Sequence, residues 1–340
     1  MRGAPMSFLE ISGLGKTFSH KPDLISRTLK NFGRASSIKP SVQAVRDVSV
    51  SVEKGEVIGL IGESGCGKST VARMLAGITR PTKGTVLLDG HDIIARKTPE
   101  ARAAALDVQM IFQDAAAAMN PRFTIQDIIA EAPLYHGRIK AKEARDKVAE
   151  VLEAVSMSPD IARQYPHQFS GGQRQRIGIA RALAMNPRLL ICDESVAALD
   201  VSIQAQVINL FMKLRKEFGL TYVFISHDLS VVRHLSDRVA IMYLGEVVEN
   251  APTEALFADP KHPYTRALMA QNPSIRNRRK EHIPLSGEVP SPINPPSGCY
   301  FNPRCQQAMT QCIERHPALV SMGANRSAAC FLHSDQEKSL

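Results

Sequence analysis

A short, continuously apolar run, Val57-Ile58-Gly59-Leu60-Ile61, ends directly in Gly62-Glu63-Ser64-Gly65-Cys66-Gly67-Lys68-Ser69. No other stretch constrains the fold as tightly. Such a run fits a strand buried on both faces of a parallel sheet. The pattern G-x-x-x-x-G-K-[ST] between a strand and a helix is a phosphate-binding loop. Its glycines let successive N–H groups turn toward phosphate oxygens. A helix expected over residues 68–77 adds its positive end. Lys68 then places a full charge between the β- and γ-phosphates, and Ser69 offers a hydroxyl to Mg²⁺. Cys66 reads as a small residue that the loop tolerates. The rival reading is a glycine-rich turn with an incidental lysine, which the flanking strand and helix disfavour.

Elsewhere, strands are expected at 7–18, 45–52, 85–89, 108–112, 188–192 and 221–226, and helices at 125–135, 141–155, 173–185 and 203–217. In residues 7–18, Phe8, Glu10 and Ser12 are read as one face and Leu9, Ile11 and Leu14 as the other. Buried strands alternating with helices predict a doubly wound α/β core. The helix-rich block from about 114 to 185 interrupts that alternation and reads as a subdomain. Residues 20–42 are polar and read as a loop or insertion. Beyond about residue 255, prolines from Pro260 to Pro303 predict an irregular tail.

A length of 340 residues suits one large domain with an appendage. No apolar run approaches the length of a membrane span. The start, Met1-Arg2-Gly3-Ala4-Pro5, has no apolar stretch behind it, so a cytosolic chain is expected. The net charge of +9 is scattered, apart from a cluster at Arg276, Arg278, Arg279 and Lys280. Trp is absent and basic residues do not interleave with aromatics, so no nucleic-acid site is read.

A second apolar run, Leu189-Leu190-Ile191-Cys192, ends in Asp193 and Glu194. Carboxylates at the end of a buried strand are costly unless a cation faces them. Nucleotide-bound Mg²⁺ is the candidate, held by Asp193 directly or through water, with Glu194 polarising the attacking water. The alternative is a helix N-cap after the strand. Upstream lies Phe169-Ser170-Gly171-Gly172-Gln173. Ser170 and the glycine N–H groups would cap a helix starting near Gln173, a natural anion site.

Together these residues resemble the ATPase subunits of ABC transporters, over about residues 7–270. The resemblance implies an ABC ATPase cassette with a RecA-like P-loop core, a helical signature subdomain and an antiparallel β part. It implies an ATPase domain over 7–258 and a cysteine-bearing extension over 259–340. Residues Gly62, Glu63, Ser64, Gly65, Cys66, Gly67, Lys68, Ser69 and Thr70 would bind ATP. Gln113 sits where the family has its Q-loop glutamine and would reach Mg²⁺ with Ser69 and Asp193. Ser170, Gly171, Gly172 and Gln173 match the signature that binds the γ-phosphate of ATP on a partner subunit. Asp200 falls in the D-loop, and His227 matches the switch histidine that joins Glu194 and Gln113 in catalysis. Phe18 or a neighbour would stack on adenine.

Within that family, Gly62–Thr70, Ile111-Phe112-Gln113-Asp114, Asn120-Pro121-Arg122, His262-Pro263-Tyr264-Thr265 and Cys299-Tyr300-Phe301-Asn302-Pro303-Arg304-Cys305 resemble oligopeptide and dipeptide importers. This resemblance implies a second ATPase subunit, two membrane permeases and a periplasmic or extracellular solute-binding protein. It places the chain peripherally on the cytoplasmic face of the bacterial inner membrane. The alternatives are a soluble or an exporter-type ABC ATPase. The chain departs from the family in its alanine run Ala115–Ala118, in Ser195 for the usual proline, and in Ala197 where the D-loop usually begins with serine.

Cys299, Cys305, Cys312 and Cys330 form the spacing C-x₅-C-x₆-C-x₁₇-C. This lacks the paired knuckles of the usual zinc sites. Four thiolates can hold a four-iron, four-sulfur cluster, and some peptide-importer ATPases resemble this tail and carry one. Zinc and reduced structural thiols remain alternatives.

Overall fold

A computed structural model describes residues 7–19, 41–115, 117–197, 199–271, 287–323 and 325–333. Most of the polar segment at 20–42 and the basic cluster at 276–280 lie outside the described residues.

The central strands are the continuous apolar runs. They are β3 (Val57–Ile61), β6 (Val108–Ile111), β7 (Leu189–Asp193) and β8 (Thr221–Ile225). They pair in parallel in the order β3-β8-β7-β6, and β9 (Arg238–Tyr243) joins β3 on the other side. Their side chains divide with a period of two. Val57, Ile61, Leu190, Cys192, Tyr222 and Phe224 enter one core, while Ile58, Leu60, Leu189, Ile191, Val223 and Ile225 enter the other. Helices α1 (Lys68–Leu75), α2 (Pro99–Leu106), α3 (Ile125–Tyr135), α4 (Ala144–Ala154), α5 (Gly171–Leu183), α6 (Val201–Phe218) and α7 (Leu229–Leu235) follow or separate them. Phe211 of α6 meets Tyr222 and Phe224 edge-on, with ring centroids 5.8 and 5.9 Å away.

An antiparallel wing extends the sheet. It comprises β1 (Leu9–Phe18), β2 (Val42–Val52), β4 (Lys83–Leu88) and β5 (His91–Asp92). Phe8 is buried, so the face read as polar in residues 7–18 is only partly so. β10 (Glu246–Pro252) links wing to core, running antiparallel to β9 and touching β2 at Glu246↔Asp47.

Helices α3, α4 and α5 pack on one another, and α5 also rests on β6 and α6. α3 begins where its periodicity predicts, at a reciprocal cap between Thr124 and Asp127 that the sequence reading did not single out. α5 begins at Gly171, two residues before the expected start, because Ser170 is already its cap. The alanine run has a packing role. Ala115 and Met119 are buried, and a Cβ on Gly178 of α5 would lie 3.3 Å from the Ala115 Cβ. Short side chains let this segment press against the signature helix.

The expectation of an irregular tail needs correction. Residues 253–258 (α8, Thr253–Ala258) and 263–270 (α9, Pro263–Ala270) are helical. Further on, α10 (Thr310–Glu314) precedes β11 (Val320–Ser321) and β12 (Ser327–Ala328). β12 pairs antiparallel with β10 through Glu249↔Ala328 and Asn250↔Ser327, so the tail joins the main sheet. Arg326 donates to Glu249, which has no exposed surface, at 3.0 Å. Glu249 also accepts the N–H groups of Lys261 and His262. His316 Nε2 meets Glu246 Oε2 at 2.8 Å. Among the described residues, no helix is long and apolar enough to cross a membrane.

Candidate nucleotide site

In an open parallel sheet, ligands bind beyond the carboxyl ends of the strands. The registers Leu60↔Ile225, Asp193↔Ile225 and Ile111↔Cys192 bring the ends of β3, β8, β7 and β6 to one edge. That edge carries the loop at 62–69, Asp193-Glu194, Gln113 and His227.

The loop is wrapped as its sequence predicts. Gly67 has φ 107°, and a Cβ there would stand 2.5 Å from the Ala44 carbonyl oxygen. Only glycine allows both the left-handed backbone and this approach. Buried Lys68 donates from Nζ to the carbonyls of Gly62 at 2.7 Å and Glu63 at 3.0 Å. Its ammonium therefore lies across the loop. Cys66 is buried rather than merely tolerated, with Sγ 3.8 Å from that ammonium. Burial pushes its thiol up, against the pull of Lys68.

Ser69 Oγ donates to Asp193 Oδ1 at 2.9 Å. The Asp193 carboxyl is pushed up, first by burial and then by Glu194, while Ser69 opposes the shift. A carboxylate desolvated to that degree beside a hydroxyl has the donor set and the electrostatic need for a hard cation. Gln113 is exposed and lines a cleft of about 910 Å³ together with Ser69 and Asp193. Thus the structure brings the three expected magnesium ligands to one cleft.

Glu194 has φ 48°, a left-handed backbone rare outside glycine. Its N–H donates to the Ile225 carbonyl at 3.0 Å, tying it to β8. His227 Nδ1 lies 3.7 Å from Glu194 Oε1, and the His227 side chain is 60% exposed. Asp228 caps α7 through the N–H groups of Ser230 and Val231, so His227 projects from a fixed turn. Glu194 itself is no helix cap; Asp200 precedes α6 and makes no side-chain cap bond to it.

The signature residues begin α5 rather than following a strand of this edge. Ser170 and Gln173 bond each other, Ser170 N–H to Gln173 Oε1 at 3.0 Å and Gln173 N–H to Ser170 Oγ at 3.3 Å. Ser170, Gly171 and Gln173 are exposed. A Cβ on Gly172 would fall 2.5 Å from Ile203 Cγ2, so α5 and α6 meet closely there. Phe18, the expected adenine platform, is exposed at the end of β1 with the Lys16 ammonium 5.1 Å above its ring.

The family model described as ABC transporter matches residues 45–197, and that described as Oligopeptide/dipeptide transporter, C-terminal region matches residues 248–312. The oligopeptide transport ATP-binding protein AppF of Bacillus subtilis is 47% identical over 332 residues, covering 96% of this chain and 98% of that protein. The chain belongs to the oligopeptide/dipeptide family of ABC transporter ATP-binding subunits. OppF of Escherichia coli, an oligopeptide transport ATP-binding protein, is 49% identical over 82% of this chain and 85% of its own length. Among solved structures, the ATP-binding cassette MJ0796, a dimer in a post-hydrolysis state bound to ADP and Pi, superposes with a TM-score of 0.60. It is 26% identical and covers 72% of this chain and 98% of its own. The protein is thus an ATPase of the ABC type, and its cassette fold is that of the family.

Sequence reasoning missed what surrounds the loop from the tail. Tyr264 Oη accepts from the Glu63 N–H at 2.9 Å, and Arg304 pairs with the Glu63 side chain. Neither contact has a local signal, since Arg304 lies 241 residues from Glu63. The four tail cysteines do converge: Cys299, Cys305, Cys312 and Cys330 line one small cavity with His262, Pro263 and Phe301. Burial raises the thiol of Cys299 to about 11 and also raises those of Cys305 and Cys330, with the neighbouring cysteines adding to the shift. Among the described residues, no group of three or more His, Cys, Asp or Glu is set close enough to hold a metal ion.

Proposed function

We propose that this chain is the ATP-hydrolysing subunit of a peptide importer. Residues 62–70 hold the phosphates, and Lys68 turns from the loop carbonyls toward them. Ser69, Asp193 and Gln113 would hold Mg²⁺, which would offset the phosphate charge when bound. Glu194 accepts a proton from the attacking water, and His227, within reach of Glu194, orients on the γ-phosphate. Ser170 to Gln173 serve the nucleotide of a partner ATPase, identical or related, because their own cap bonds leave the helix end open to solvent. Asp200 lies beside that contact. The cleft at Gln113 and the segment 114–122 carry the motion to membrane permeases, which a solute-binding protein supplies. The ATPase domain at 7–258 and the extension at 259–340 then act as one cassette on the cytoplasmic face of the membrane.

The observation that carries this reading is the Ser69–Asp193 bond at the edge shared by Lys68, Glu194 and His227. Uptake of a labelled peptide tests it in cells lacking this gene. Wild type should restore uptake and Glu194→Gln should not. Uptake unchanged by loss of the gene would refute the importer assignment.

We further propose a four-iron, four-sulfur site in the tail on the four cysteines that line one cavity, although in this structure they are not set close enough to hold a metal ion. Four thiols facing one space fit a soft, cationic occupant that would lower their pKa values. An ultraviolet-visible spectrum after anaerobic purification should show broad absorbance near 400 nm, expected of cysteine-ligated clusters. A featureless spectrum would leave zinc or reduced thiols.

A further inference from the structure

Glu63 puts a carboxylate inside a loop built to attract phosphate. Like charge beside the nucleotide opposes binding unless something neutralises it. Arg304 does so from the far end of the chain. Its Nη1 donates to Glu63 Oε2 at 2.7 Å and its Nη2 to Oε1 at 2.9 Å, a two-point fork that takes both carboxylate oxygens. The Arg304 side chain is only 4% exposed. It is held between the rings of Tyr243 and Phe301, each centroid 5.9 Å from the guanidinium, and it also bonds Tyr243 Oη.

The main chain of Glu63 is held as well. Its N–H donates to Tyr264 Oη, and its carbonyl accepts from Lys68. The rings of Tyr264, Tyr243 and Phe301 pack together at 4.7 to 5.4 Å between centroids. Phe301 and the start of α9, which carries Tyr264, wall the cysteine cavity, and Cys305 follows Arg304 directly. The same part of the tail that lines that cavity therefore presents both groups that hold Glu63.

We infer that Arg304 is a positioning residue for the ATP site. It cancels the Glu63 charge and fixes the second residue of the loop, so that ATP affinity depends on the docked tail. The inference rests on reading residues 62–70 as the ATP site. Loss of Arg304 leaves a bare carboxylate near the phosphates. Loss of the Glu63 charge as well removes the penalty, which separates a charge effect from simple packing.

The test uses the full chain, with binding of a fluorescent ATP analogue, KM, kcat and melting temperature measured for each variant. Arg304→Met should weaken ATP binding about tenfold, the scale of a lost charge-assisted hydrogen bond. Its kcat at saturating ATP should stay within about twofold, since the loop is misplaced before rather than during the reaction. Adding Glu63→Gln to Arg304→Met should recover most of the affinity. Arg304→Lys keeps the charge but not the fork, and should fall between wild type and Arg304→Met. Should Arg304→Met not fold, Arg304→Lys decides the matter. Wild-type affinity in Arg304→Lys and Arg304→Met, or no recovery in the double variant, would overturn the inference. Lys68→Ala tests the underlying reading separately: if it binds ATP normally, residues 62–70 are not the site at all.

Discussion

Glu194 is held in a conformation that few side chains adopt, between a buried aspartate and an exposed histidine. Backbone strain of this kind persists where neighbours fix it, and here the bond to the Ile225 carbonyl does so. Glu194→Gln keeps the shape and removes the base. It should bind ATP as wild type does and lose at least about 10²-fold in turnover, the usual share of a general base. Hydrolysis by the variant at the wild-type rate would remove Glu194 from that role. Gly172 is constrained differently, by Ile203 at the crossing of α5 and α6. Gly172→Ala should push the amino end of α5 outward. ATP binding to the isolated chain should be unchanged, while turnover in the assembled transporter should drop about tenfold or more, since small misplacements at a reacting site are costly. Normal turnover would show that this end of the helix does not meet nucleotide.

The elements most legible in the sequence are those whose burial is continuous. β3, β7 and β8 are apolar almost throughout and are read nearly to the residue, as are the bounds of α3. β9 and β10 escaped notice. Arg238–Tyr243 carries a usable apolar run, but β10 buries Glu249 and Asn250 contributes to its pairing, so polar residues mask it. β11 and β12 have two residues each, too few for any periodicity to show. β12 is held by its pairing with β10 and by the Arg326–Glu249 contact beside it. Arg326→Met would strand Glu249 in the interior and should cost about 3–5 kcal/mol in denaturant unfolding, as for other broken buried pairs. A loss below about 1 kcal/mol would mean that the backbone N–H groups of Lys261 and His262 suffice to hold the carboxylate. The contact of His316 is pH-sensitive. Its pKa is raised, chiefly by the hydrogen bond to Glu246 and against partial burial. The bond therefore stabilises the folded tail fully below the ordinary histidine value of about 6.5 and fades as pH rises through the raised value. Tail protection in hydrogen exchange should decline across that window. His316→Asn should flatten the decline, and an unchanged profile would place the effect elsewhere.

At the scale of the whole molecule, the function proposed above gives the chain one catalytic edge and one helix end that serves the nucleotide of another subunit. The P-loop, Asp193, Glu194, Gln113 and His227 share the carboxyl edge of the sheet; the P-loop and the two carboxylates show in the sequence by their own pattern after apolar strands, whereas Gln113 and His227 are picked out by the family resemblance. What sequence could not show is long-range closure, in which β12 joins β10 and Arg304 reaches Glu63. Pairs so far apart leave no periodic trace. On this account the signature acts on the nucleotide of another subunit. Comparing Ser170→Arg with Lys68→Ala tests it most directly, by ATP affinity in the isolated chain and turnover in the assembled transporter. Lys68→Ala should lose both. Ser170→Arg should bind ATP as wild type and lose turnover. A Ser170→Arg chain that loses ATP affinity as Lys68→Ala does, or that turns over normally in the transporter, would contradict the account.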